Sequence, residues 1–133
     1  MVTVNFVAVL VAAAAAFVVG FLVHGPIAGK LWMKLAKITP TGNEKMSDMY
    51  GQMFWNFVSN IVFAFVLGQM ISFNGLVDAT TAMIFAFWVW LGFIVTSSSM
   101  EVIWMGRSYK LWIFELVSSL LCTATMAAIL ASW

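Results

Sequence analysis

Apolar residues run almost without interruption over four stretches, 4–23, 54–73, 79–96 and 111–131, and polar positions gather in the intervals between them. Each run is close to the roughly 20 residues a helix needs to cross a hydrocarbon core of about 30 Å. Backbone groups in lipid have to be satisfied within their own segment, so runs of this length predict helices. Asn74-Gly75 is a turn signal and Asp78 is placed to cap the third helix, so the second and third runs form a tight helical hairpin. The fold class expected is all-α: a single domain over residues 1–133, an integral-membrane four-helix bundle.

The interval after the first run carries its own pattern. Over residues 30–38, Lys30, Lys34 and Lys37 share one helical face and Leu31, Leu35 and Ile38 a neighbouring one, which predicts a helix lying in the membrane interface with its lysines reaching toward water. Thr39-Pro40 then reads as a turn, and Thr41 with Glu44 has the spacing of a capping box leading into the second span.

Composition sharpens this picture. With 64% hydrophobic and 8% charged residues and a mean hydropathy of +1.04, the chain lies far from soluble domains. A net charge of +1 leaves no electrostatic footprint for nucleic acid. The charges are one-sided: Lys30, Lys34, Lys37 and Lys45 separate the first two runs, and Arg107 and Lys110 the last two. The positive-inside rule therefore puts both of these loops in the cytoplasm and both termini outside, in an inner or plasma membrane. Trp32, Tyr50, Trp55, Trp104, Tyr109 and Trp112 fall at the same expected interface, with Trp133 opposite. No basic stretch precedes the first run, and Ala12 to Ala16 lead into more apolar sequence, so this segment reads as a span rather than a cleaved signal.

The halves resemble each other. Gly20-Phe21-Leu22-Val23 is followed eight residues on by Leu31-Trp32-Met33, and Gly92-Phe93-Ile94-Val95 at the same interval by Ile103-Trp104-Met105. Phe54-Trp55-Asn56-Phe57 and Leu111-Trp112-Ile113-Phe114 extend the match. Two parallel helical-hairpin repeats would produce this pattern, as would coincidence between Phe- and Val-rich helices.

Polar residues inside the spans are the candidates for chemistry. An ionisable group there costs on the order of 2.5–3.5 kcal/mol on insertion scales, so Glu115 calls first for an explanation. Glu115, Ser119, Thr123, Ala127 and Ala131 form a row of mostly small residues, and Ala8, Ala12, Ala16, Gly20 and His24 form a second. Small residues let helices approach closely. If the two antiparallel rows face each other, His24 meets Glu115. Gln52, Asn56 and Asn60 on the second span, with Thr96, Ser97, Ser98, Ser99 and Glu101 at the end of the third, lie at similar depth. The candidate site is thus His24, Glu115, Glu101, Asn56, Asn60 and Ser119, able to bind a small solute or relay protons, while interhelical hydrogen bonding gives the same pattern.

Other chemistries find little support. One His and one Cys, Cys122 in an apolar run, make no zinc site of ordinary ligand count, and neither a metal nor another cofactor is expected. Walker, Gly-x-Ser-x-Gly and His-Glu-x-x-His motifs are missing, so an enzyme is the less favoured reading.

The run from Ala8 to Lys34, with Gly20, Gly25-Pro26 and Gly29-Lys30-Leu31-Trp32-Met33, resembles the N-terminal signature of a bacterial membrane-protein family, domain of unknown function 1761. Gly106-Arg107, Lys110-Leu111 and a last span ending in Ile129-Leu130 and Trp133 look like its C-terminal half. In that family an aromatic pair precedes the corner proline, whereas Val23-His24-Gly25 stands here, so His24 has no counterpart. The resemblance implies a small four-span protein and brings no activity or site residues with it. Two functions fit the residues: a homo-oligomeric transporter or channel built around Glu115 and His24, or a non-catalytic accessory subunit of a larger membrane complex.

Overall fold

The computed structural model describes residues 4–38 and 46–133; the expected capping box of Thr41 with Glu44, the Thr39-Pro40 turn and Lys45 lie outside them. Among the described residues the chain is helical without strands: α1 (Phe6–Ile27), α2 (Gly29–Ala36), α3 (Ser47–Phe73), α4 (Ala79–Met105) and α5 (Tyr109–Ser132). Four of these, all but α2, are long and apolar enough to cross a membrane, and the protein is built as a multi-pass membrane bundle.

Side-chain caps start three of the spans. The Asn5 carboxamide accepts from the Val7 and Ala8 N–H groups, Ser108 accepts from Leu111, and Asp78 accepts from both the N–H and the hydroxyl of Thr81. Those two bonds, the backbone one foremost, hold the Asp78 carboxyl below its ordinary pKa. Gly75 turns the α3–α4 connection at φ +67° and Gly106 ends α4 at φ +68°, the left-handed region in which a Cβ is unfavourable.

The helices outrun the apolar stretches that predict them. In α4 the extra length comes from Thr96, Ser98 and Ser99, whose hydroxyls donate to the carbonyls of Gly92 (2.6 Å), Ile94 (2.6 Å) and Thr96 (2.6 Å), with Ser97 bonded to Phe93 in the same way. Each hydroxyl is satisfied by its own helix, so polar sequence continues it. In α1 the extension is a π-helical turn, Val23–Ile27. Pro26 has no N–H to give, and the wider turn takes up the mismatch, the Ala28 N–H reaching back five residues to the Val23 carbonyl (3.2 Å). The chain then folds over sharply enough that a Cβ on Gly29 would stand 3.0 Å from the His24 carbonyl oxygen. This corner sets α2 beside the bundle with Lys30, Lys34 and Lys37 exposed and Trp32 and Leu35 partly covered. A second π segment, Trp90–Val95, widens α4, which runs on through Met105 where the first half of the chain breaks at Ala28.

α5 is the axis of the bundle. It packs antiparallel against α1, with Cys122 beside Ala16 and Glu115 beside His24, and antiparallel against α4, with Ser119 beside Trp90 and Ser98 beside Trp112. It lies parallel to α3, Leu130 flanking Gly68. Successive spans alternate in direction, so Lys30, Lys34, Lys37, Arg107 and Lys110 share one end of the bundle and the 74–78 turn lies at the other. The core between α1, α3 and α5 is small-residue packing: Ala8, Ala12, Ala13, Ala16, Ala64 and Ala127 are buried with Val9, Leu67, Ile71 and Met126. α4 adds Ala82 and Ala86, yet only 11% of its most apolar window is buried, against 22–28% for the other spans. It diverges from α3 beyond their turn, leaving an apolar groove along Val62, Phe63, Val66 and Met70.

Candidate functional site

His24 stands in the π turn at the end of α1, where the local widening and the 25–29 corner fix its ring. Its Nδ1 lies 2.8 Å from the Gly20 carbonyl oxygen, which only accepts, so Nδ1 carries hydrogen and donates. Its Nε2 faces both carboxylate oxygens of Glu115 on α5, 3.1 Å from each. One proton therefore belongs to the pair, held by Nε2 in an imidazolium–carboxylate or by the carboxyl against a neutral ring. Trp32 of α2 and Phe114 of α5 meet the imidazole edge-on, with centroids 5.1 and 5.5 Å away. The arrangement is held from three elements and still open: the side chains of His24 and Glu115 keep 27% and 33% of their exposure.

That exposure is to a cavity of about 420 Å³ between α1, α3 and α5, whose lining extends to Met49 and Trp32 toward the basic end of the bundle. Phe17, Gly20 and Phe21 line it from α1, and Trp32 covers it from α2. Met49, Met53, Asn56 and Asn60 come from α3, and Ser118, Ser119 and Cys122 from α5 beyond Glu115. Its size is that of a small-ligand site, with a few polar groups converging among aromatic and sulfur-bearing walls.

Five of the six candidate residues share this cavity: His24, Glu115, Asn56, Asn60 and Ser119. Glu101 does not. It pairs with Arg107 at the end of α4, about two-fifths exposed, and is not among the residues around His24. Gln52 is exposed as well. Ser97 to Ser99 donate their hydroxyls to backbone carbonyls of their own helix. Among the packing residues, Ala8, Ala12, Ala16, Thr123 and Ala127 are buried, and a Cβ on Gly20 would meet the Cys122 sulfur at 3.8 Å.

Sequence patterning passes over several residues that shape the site. Met49 and Met53 are one turn apart on α3 and fall ahead of the expected span at 54–73, and Ser118 lies one position off the row that carries Ser119. Trp90 donates its indole N–H to the Leu116 carbonyl and to the Ser119 hydroxyl, both at 2.9 Å, tying α4 to the back of the cavity wall. Its signal is a tryptophan well inside a span, where the N–H needs a partner, and not at an interface. Among the described residues, no group of three or more His, Cys, Asp or Glu is arranged to hold a metal ion.

The profile of the family described as "Protein of unknown function (DUF1761)" matches residues 7–131, and the chain belongs to that family. No curated protein and no solved structure matches the chain.

Proposed function

We propose that this DUF1761 protein is a proton-linked carrier of a small solute, loading it at the cavity between α1, α3 and α5 from the cytoplasmic side of an inner or plasma membrane. The observation that carries the reading is that the His24–Glu115 pair, which shares one proton, forms part of the wall of a solute-sized cavity rather than a sealed contact. An acid and a base inside a span are costly, and a site that binds and releases protons is a common return on that cost. Asn56, Asn60 and Ser119 supply neutral hydrogen-bonding groups for the solute. Beyond the cavity, the core of Val9, Ala12, Ala13, Leu67 and Met126 is closed, so passage requires the helices to move and a carrier fits better than an open pore. Orientation follows from the basic residues at the cavity end, and self-association would supply the surface against which such movement occurs.

The test is flux in proteoliposomes loaded with a pH-sensitive dye and given inward gradients of tetramethylammonium, benzenesulfonate or sorbitol. At least one gradient is expected to move the lumenal pH with the parent protein and not with Glu115→Gln of equal folded yield. Parent vesicles that behave like empty ones, or a Glu115→Gln variant equal to the parent, would overturn the reading.

One observation favours an accessory subunit instead. Ile84, Trp88 and Phe93 on α4 are exposed, and an apolar groove separates α4 from α3, so another membrane subunit would find a surface here. Native mass spectrometry after gentle extraction separates the two: stoichiometric unrelated subunits support the accessory reading, and a clean homo-oligomer supports the carrier.

A further inference from the structure

Resting on the carrier reading, we infer that the cavity takes a monovalent organic cation in exchange for the proton shared by His24 and Glu115. Among the described residues, three titratable groups line the cavity: His24 from α1, and Glu115 and Cys122 from α5. Among the described residues, the lining residues of α2 and α3 carry no charge, α4 contributes none, and no Lys or Arg reaches the wall. Lys30, Lys34 and Lys37 of α2 are exposed at the bundle end, and Arg107 is paired with Glu101.

With its shared proton the His24–Glu115 pair is neutral; without it the pair carries one negative charge. A monovalent cation seated against the Glu115 carboxylate restores neutrality once the proton has left Nε2 for water at the cavity mouth. One charge enters and one leaves, so neither state buries an uncompensated charge. An anion gains no such partner, because it would need a second proton to stand beside the carboxylate.

The walls specify the kind of cation. Phe17, Phe21 and Trp32 line the cavity, and an aromatic face attracts a weakly hydrated ammonium group. A small inorganic cation would have to trade its water shell for one carboxylate and a few amide and hydroxyl oxygens. The cavity, at about 420 Å³, has room for a ligand with an apolar body.

The experiment uses the purified full chain in detergent and titrates benzyltrimethylammonium by calorimetry in two buffers of different ionisation enthalpy. Binding is expected with release of about one proton per cation, and with affinity weakening toward about tenfold per pH unit on the acid side of the pair's titration. Glu115→Gln is expected to lose binding and Glu115→Asp, which keeps the carboxylate, to recover part of it, so that loss through misfolding is told apart from loss of the charge. Binding of benzenesulfonate in place of the cation, cation binding without proton release, cation binding unchanged in Glu115→Gln, or no binding at all each overturns the inference. The flux assay separates this failure from that of the carrier reading: if benzenesulfonate or sorbitol moves the lumenal pH in a Glu115-dependent way, the carrier stands and the cation assignment falls.

Discussion

α5 makes two antiparallel seams, and they are built on different physics. Toward α1 the contact consists of removed side chains: Ala8, Ala12 and Ala16 meet Thr123 and Ala127 with exposures of 2% or less, and the Cys122 sulfur lies 3.4 Å from the Ala16 carbonyl oxygen. Toward α4 the buried Ala82 and Ala86 also allow close approach, and reach is added: the indoles of Trp90 and Trp112 cross to Leu116, Ser119 and Ser98, each at 2.9 Å. Lipid tails are as apolar as the helices, so neither seam gains much from leaving water; both hold by dispersion at close approach, and the second adds hydrogen bonds. The cavity lies beside the first seam, and its wall is braced by the second through Ser119. The tight first seam fixes where His24 and Glu115 meet, and the second is tethered by its indoles.

The strongest break in this comparison is to fill the tight seam. Ala12→Leu puts three more carbons where the exposure is 0%, and overpacking of this kind costs about 1–3 kcal/mol or more. Thermal unfolding in detergent should show the loss, and a variant as stable as the parent would mean that α1 and α5 are not in close contact. At the tethered seam, Trp90→Phe keeps the ring and deletes the N–H, for which interhelical hydrogen bonds in membranes suggest about 0.6–1.7 kcal/mol. Trp112→Phe should cost a similar amount, and its effect should vanish in a Ser98→Ala background if the two groups are partners. A cost for either indole as large as that of Ala12→Leu would erase the distinction between the seams.

The two seams were unequally legible in the sequence. The α1–α5 register follows from rows of small residues four apart, because the row itself is the contact, and His24 meets Glu115 as that register requires. The α4–α5 seam is marked only by Ala82 and Ala86, four apart; Trp90 and Trp112 read as bulk or as interfacial anchors, and where an indole points depends on rotamer and helix rotation, which periodicity does not encode. Helix ends are hard to read for a related reason. Hydropathy treats Ser97 to Ser99 as polar, whereas hydroxyls that bond their own helix behave as satisfied groups and let α4 run on. Depth alone groups Glu101 with the polar cluster, and depth says nothing about azimuth; the left-handed turn at Gly106 brings Arg107 back beside Glu101 instead.

Glu101 also offers the smallest and sharpest test, because its pair with Arg107 and that of His24 with Glu115 lie at a similar depth in different surroundings. Glu101 and Arg107 are neighbours along one chain segment, 43% and 40% exposed, where water screens the charges and side-chain ordering offsets the attraction. Glu101→Gln is therefore expected to change stability by about 0–1 kcal/mol and to leave Glu115-dependent flux as it was. The His24–Glu115 pair joins residues 91 positions apart and draws both into the cavity wall, so its loss should be felt in solute binding and proton release before it is felt in stability. If Glu101→Gln abolished flux while Glu115→Gln preserved it, the proton-linked site would belong at the end of α4, and the cavity between α1, α3 and α5 would be a packing defect of a helix bundle held together elsewhere.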